Sequence, residues 1–289
     1  MDGTRTLRRA DGTDLRYRVW RPGAPRRLLV LLHGLASNLT RWSELVARTR
    51  LKDDWDILRV DLRGHAGSRD RGRIGMDEWC ADLVALLTAE AAGAVVLAGH
   101  CLGANIAAEL AHREPGRLAG LVLIEPVFAE AFKGGLRLVA ALRPLAVPAI
   151  WTLRALNALG LHRRHVRPLD LEALDRETRA ALAAGQGDAL LARYASPWTD
   201  LASTPTAAYL QSLVALSRGL PDLSGLRVPV LALLSTGGAF ADPALTERQL
   251  ARLPRCRVMR LPARHWIPTE RPEEMCRAIE AWCGDLAGP

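Results

Sequence analysis

AVVLAGHCLGANIAAELAHR, residues 94–113, decides how the rest of the chain is read. Its opening run, Ala94–Gly99, is continuously apolar, which is the pattern of a strand buried on both faces. The residues from Leu102 onward have helical spacing. Between the two lies Gly99-His100-Cys101-Leu102-Gly103. Small residues flank Cys101 on both sides, so the chain can pass from strand to helix in one sharp turn with the sulfur at its apex. At the first turn of a helix a thiol faces aligned amide dipoles. With a histidine nearby it ionises more readily, and the thiolate is its reactive form.

Working outward, residues 14–20, 27–32 and 55–60 read as strands before this unit, with 119–124, 228–234 and 257–261 after it. Helical spacing fills 39–50, 76–92, 102–113, 243–252 and 271–283. The alternation predicts an α/β fold with a mostly parallel central sheet flanked by helices. Residues 127–220 break the rhythm with Ala, Leu and Arg in helical patterns, punctuated by Pro144, Pro148, Pro168, Pro197 and Pro205. They predict a helical insertion, leaving 1–126 and 221–289 to form one core.

The chain has 289 residues, 49% hydrophobic and 24% charged, with mean hydropathy +0.03, so it can bury a large core. Its net charge of +8 is carried almost wholly by arginine, since Lys52 and Lys133 are the only lysines. The arginines are spread along the chain without interleaved aromatics, which argues against a nucleic-acid groove. No apolar run suffices for a membrane span, and the start MDGTRTLRRADGTD has no apolar segment of the signal-peptide kind, so a cytoplasmic location is expected. The five cysteines, at 80, 101, 256, 276 and 283, show neither metal-ligand spacing nor a disulfide framework. Reduced thiols are expected, and neither a metal nor a cofactor is called for.

Four segments in order now carry a resemblance. His33-Gly34-Leu35 follows the second strand, Asp61-Leu62-Arg63-Gly64-His65-Ala66-Gly67-Ser68 the third, Cys101 the fourth, and Leu261-Pro262-Ala263-Arg264-His265-Trp266 the last. Together they resemble the α/β-hydrolases along nearly the whole chain, with cysteine where that family usually has serine. The resemblance implies Cys101 as nucleophile, His265 as general base, backbone amides of Leu35 and Leu102 as oxyanion donors, and the insertion as a cap. One such donor is typically worth ~3 kcal/mol of barrier. His33, His65 and His100 read as structural, and His112, His162 and His165 as exposed or cap residues.

The third catalytic member has two candidates. The family's usual place for the acid falls here on Gly238, which has no side chain to offer. Asp242 is nearby, but Asp followed by Pro243 and a helical run is already explained as an N-cap. Glu125 ends the apolar strand after the nucleophile helix, at the mouth of a parallel sheet's ligand crevice, where some capped relatives place their acid. Pro126 predicts an extended backbone for it. Glu125 is therefore taken as the acid, with Asp242 the alternative.

A cysteine at this position excludes dehalogenase and epoxide-hydrolase chemistry, which need aspartate. Sulfur exchanges readily with thioesters and keeps the acyl group energised. The expectation is therefore acyl transfer or cyclisation from a thioester on an acyl carrier protein or coenzyme A, as in thioesterases and Dieckmann cyclases. Trp151, Trp198 and Trp266 are the candidate acyl-pocket residues, and the arginine-rich cap the carrier-facing surface. The alternatives are ester or lactone hydrolysis by the same residues, and a binding protein that has lost catalysis.

Overall fold

A computed structural model describes residues 2–91 and 93–286. Ala92, the end of the helix expected over 76–92, lies outside the described residues, as do 287–289 at the end of the expected core segment. The strands are β1 (Asp2–Arg8), β2 (Asp14–Trp20), β3 (Arg27–Leu32), β4 (Trp55–Val60), β5 (Val95–His100), β6 (Gly120–Ile124), β7 (Val230–Ser235) and β8 (Cys256–Leu261). They form one sheet in the order β1-β2-β4-β3-β5-β6-β7-β8. The pairs β1–β2 and β2–β4 are antiparallel, and the rest are parallel.

The apolar runs follow from this arrangement. Along β3, Leu28, Val30 and Leu32 enter one core cluster with Trp79, Leu83 and Ile106. Leu29 and Leu31 enter the other, with Trp42, Met275 and Trp282. A strand covered on both faces has no use for a polar residue, so its sequence is apolar throughout. β1 was not foreseen. It is an edge strand of sequence DGTRTLR, mostly exposed, and its polar pattern carries no burial signal.

The helices are α1 (Ser43–Arg48), α2 (Met76–Ala89), α3 (Leu102–Arg113), α4 (Gly134–Ala158), α5 (Leu171–Ala183), α6 (Asp188–Tyr194), α7 (Pro197–Ser203), α8 (Thr206–Leu216), α9 (Pro243–Leu250), α10 (Ile267–Glu270) and α11 (Pro272–Asp285). The helix expected over 39–50 is instead a 3-10 turn at Leu39–Trp42, then α1, then a second 3-10 turn at Arg50–Asp53. The side chains of Asn38 and Thr49 cap the two turns and divide the segment.

Between β6 and β7 the described elements are all helical, from a short 3-10 turn at Ala129–Ala131 through α8. α4 continues through Pro144 and Pro148. It is also long and apolar enough to cross a membrane by length and composition, and little of it is buried. Its apolar run is not continuous in sequence, because Arg137, Arg143 and Arg154 interrupt it.

Candidate active site

β5 enters the site and α3 leaves it, and between them Cys101 takes φ 51° and ψ −111°. Such a backbone costs roughly 1–3 kcal/mol and persists only where its surroundings enforce it. Here the glycines enforce it. A Cβ on Gly99 would lie 2.2 Å from the carbonyl of Gly103, and one on Gly103 would lie 2.3 Å from the oxygen of Leu32. The close approach of β3, β5 and α3 therefore requires hydrogen at both positions. The Cys101 amide donates to Ile124 O at 2.8 Å, and its carbonyl accepts from Asn105 at 3.1 Å.

His265 reaches the same point from the loop after β8. Its Nδ1 lies 2.9 Å from Glu125 Oε2, and its ring also hydrogen-bonds to Cys101. With Nδ1 engaged by the carboxylate, the other ring nitrogen is the one that serves the sulfur. Burial alone would lower the imidazole's pKa, but the Cys101 sulfur and the Glu125 carboxylate outweigh it and push it up to about 10. The sulfur and the carboxylate thus both favour the protonated form of the ring that lies between them.

Glu125 is fixed from three sides. Its amide donates to Leu233 O at 2.9 Å, Oε1 accepts the Ser235 amide, and Oε2 meets the imidazole. Its backbone is not extended as Pro126 suggested: φ is 54°. A left-handed turn still avoids the pre-proline clash with the right-handed helical region. The chain needs it to leave β6 while the carboxylate folds back under β7. Asn105 holds the exit by donating to Val127 O and accepting from Val127 N, both at 2.9 Å.

Asp242 does not meet the imidazole. Its carboxylate caps α9 by accepting from Ala244 and Leu245 at 2.9 and 3.0 Å, and those amides hold its pKa below the usual range. Gly238 turns at φ 58° with its amide on Ser235 Oγ.

Leu35 lines the cavity beside Cys101, and Leu102 opens α3. Among the described residues neither amide has an intramolecular acceptor, which suits donors held for an oxyanion. The loop carrying Leu35 is tied down by His33, whose Nδ1 donates to Gly34 O at 2.8 Å while Nε2 accepts from Leu62 at 3.0 Å. Asp61 accepts from Leu39 at 2.8 Å and from Gly67 at 3.0 Å, joining the segment after β4 to that loop. His100 Nε2 donates to His265 O at 3.0 Å. Burial lowers the imidazoles of His33 and His100, and that of His65 to about 4, so all three are neutral struts.

Cys101, His265 and Trp266 face a cavity of about 310 Å³, which Leu136, Val139, Leu213, Leu216 and Phe240 make largely apolar. Trp266 meets the rings of His265 and Phe240 edge-on. Trp151 and Trp198 do not line it. They are 68% and 81% exposed, because only the first turns of α4 reach the cavity and Trp198 points away from α7's inner side. A larger cleft of about 770 Å³ lies among charged groups that include Arg8, Asp14, Arg16 and Asp70; Cys101, His265 and Glu125 do not line it.

Several neighbours of this cluster carry no local signal in the sequence. Arg41 lines the cavity and is held by Asp175, at 2.6 and 2.8 Å, and by Thr269. Tyr194 donates to Asp175 at 2.8 Å and lies under the Arg41 guanidinium. This buried cluster joins the loop after β3 to α5, α6 and α10. Asp200 also lines the cavity, and burial pushes its pKa up to about 7 against a hydrogen bond to Tyr209. Glu270 gathers the amides of Arg264, His265 and Trp266 and so sets the histidine loop. A glutamate five residues after the histidine was the one signal for it in the sequence.

Among known proteins, the profile described as "Alpha/beta hydrolase family" matches residues 29–278. A non-heme chloroperoxidase of Streptomyces lividans is 28% identical over 250 residues, which are 84% of this chain and 75% of that protein. A hydrolase from Pseudomonas aeruginosa PA01 superposes with TM-score 0.71 at 22% identity, over 98% of both chains. A thermophilic esterase from Thermogutta terrifontis superposes with TM-score 0.70 at 20% identity, over 98% of this chain and 99% of its own. The two structures attest the fold, and the profile spans most of the sequence: the chain belongs to the alpha/beta hydrolase family.

Proposed function

We propose that this protein hydrolyses small apolar carboxylic esters or lactones through a covalent acyl-cysteine. The observation that carries the reading is the hydrogen-bonded line Cys101–His265–Glu125 opening on a small apolar cavity. The names of two similar structures, a hydrolase and an esterase, support hydrolysis over the thioester transfer that the sulfur first suggested. A volume of about 310 Å³ sits at the lower end of the ~300–1,000 Å³ of small-molecule pockets, which favours a short acyl or lactone substrate.

In the first half-reaction Cys101 Sγ attacks the carbonyl carbon as its proton rests on His265. The oxyanion accepts from the Leu35 and Leu102 amides. The intermediate collapses as the imidazolium protonates the departing alkoxide, leaving an acyl-cysteine and an alcohol. Water then gives a proton to His265 and attacks the thioester, and the released thiolate recovers that proton. Glu125 orients the ring and stabilises its positive form throughout. Asp200 and Arg41 bring ionisable groups to a largely apolar wall.

The sulfur supports a second reading, in which the acyl donor is a thioester on coenzyme A or a carrier protein. Matched oxygen ester and thioester, each assayed with and without an amine acceptor, separate the two. Hydrolysis of the oxygen ester to free acid, unaffected by the amine, supports the proposal. Turnover of the thioester alone, with the acyl group passing to the amine, would replace it with the second reading.

A further inference from the structure

The cavity accounts for only the first turns of α4, where Gly135, Leu136 and Val139 line it. The remainder of this 25-residue helix turns a different surface outward. Leu138, Leu142, Leu145, Leu156 and Leu159 recur at intervals of four, three, eleven and three residues, which aligns them on one side of the helix. All five are exposed, Leu145 by 72% and Leu159 by 75%. The opposite side, with Leu136 and Ile150 buried, packs along α8. A soluble surface seldom leaves such a stripe uncovered unless something docks on it.

The charge around the stripe says what that is. From residue 131 to 169 there are seven Lys and Arg and no Asp or Glu. Among the described residues, Arg137, Arg143, Arg154 and Arg164 make no ion pair with a carboxylate. Arg137 borders the stripe, while Arg143 and Arg154 lie toward the opposite side with Ile150; a helix with an exposed leucine stripe in a segment that carries only positive charge suits the boundary between acyl chains and anionic headgroups.

We propose that α4 docks the protein on the surface of an anionic lipid bilayer, lying in the interface with Leu138, Leu142, Leu145, Leu156 and Leu159 toward the acyl chains. The helix lies on the bilayer and does not cross it, because its other side is part of the fold and three arginines lie along it. The inference rests on the α4 surface alone and holds whatever Cys101 does. Docking would also bring the mouth of the cavity near the bilayer, since the same helix forms part of its wall.

The test is cosedimentation of the full-length protein with vesicles of phosphatidylcholine, alone or mixed with phosphatidylglycerol. Partition into the mixed vesicles is expected, with little into phosphatidylcholine alone. Leu145→Ser with Leu159→Ser should lower it by at least about tenfold. Arg137→Gln should lower it by about fivefold, and salt should weaken the wild type in the same direction. Far-UV circular dichroism and Tm should be unchanged in both variants, which shows that they fold. Absence of binding to either vesicle, or wild-type binding by the leucine variant, would overturn the proposal. So would a dimer in solution that the leucine substitutions dissociate, or a complex with an acidic carrier protein through these arginines, if either occurred without vesicle binding.

Discussion

Glu125→Gln isolates what the carboxylate contributes, because the amide keeps its size and one oxygen. In the wild type the imidazole rises from 6.5 to about 10, which corresponds to ~5 kcal/mol of preference for the protonated ring, shared between sulfur and carboxylate. Glutamine removes the carboxylate's charge. It can also turn its NH₂ toward Nδ1, which favours the tautomer that cannot accept the thiol proton. Loss of the charged partner in a comparable triad lowers kcat on the order of 10⁴-fold, and a fall of about 10³–10⁴ is expected here. The assay is turnover of a chromogenic short-chain ester, with KM read separately. A second readout is stability against pH. Because the folded imidazole is raised, its contribution is complete below about 6.5 and is lost as pH climbs through about 10. In Glu125→Gln that alkaline loss should begin at lower pH. Asp242→Asn, which alters only the cap of α9, should leave kcat nearly intact. A mild Glu125→Gln beside a severe Asp242→Asn would refute the assignment of the acid.

Gly103→Ala would drive a methyl group to 2.3 Å from Leu32 O and 2.7 Å from His33 O; a loss of ~2–3 kcal/mol, or about 3–5 °C in Tm for a chain of this size, is expected by thermal denaturation, together with loss of turnover. Asp200 should titrate near 7 in the cavity wall, so KM for an uncharged ester should rise as pH passes through that value, and Asp200→Asn should flatten the dependence. Since the raised carboxyl holds its proton in the folded state between about 4 and 7, wild-type stability should decline relative to Asp200→Asn across that window.

What the sequence disclosed, and what it hid, divides along physical lines. β3, β5 and β6 were legible because burial on both faces leaves only apolar residues, while β1 was not, because an edge strand with polar side chains resembles a loop. Cys101 and His265 were legible because glycine spacing and loop position are local features. Glu125 was reached through the capping role of Asp242, but its left-handed backbone was not, since the proline rule excludes one region of conformation without choosing between the others. Arg41, Asp175, Asp200 and Tyr194 come together from separate helices, and no local pattern announces that. Trp151 and Trp198 were misplaced because which side of a helix faces a cavity depends on how the helix docks.

The reaction itself leaves a mark on one atom. Mixing the protein with a short-chain activated ester and quenching within a single turnover should add the acyl mass to the tryptic peptide bearing Cys101, with none on the peptides of Cys80, Cys256, Cys276 or Cys283, whose thiols burial pushes up to about 11 or 12. Cys101→Ala should abolish both adduct and turnover, and His265→Ala should slow the formation of each. Turnover that persists in Cys101→Ala, or an adduct on any other residue, would contradict the account.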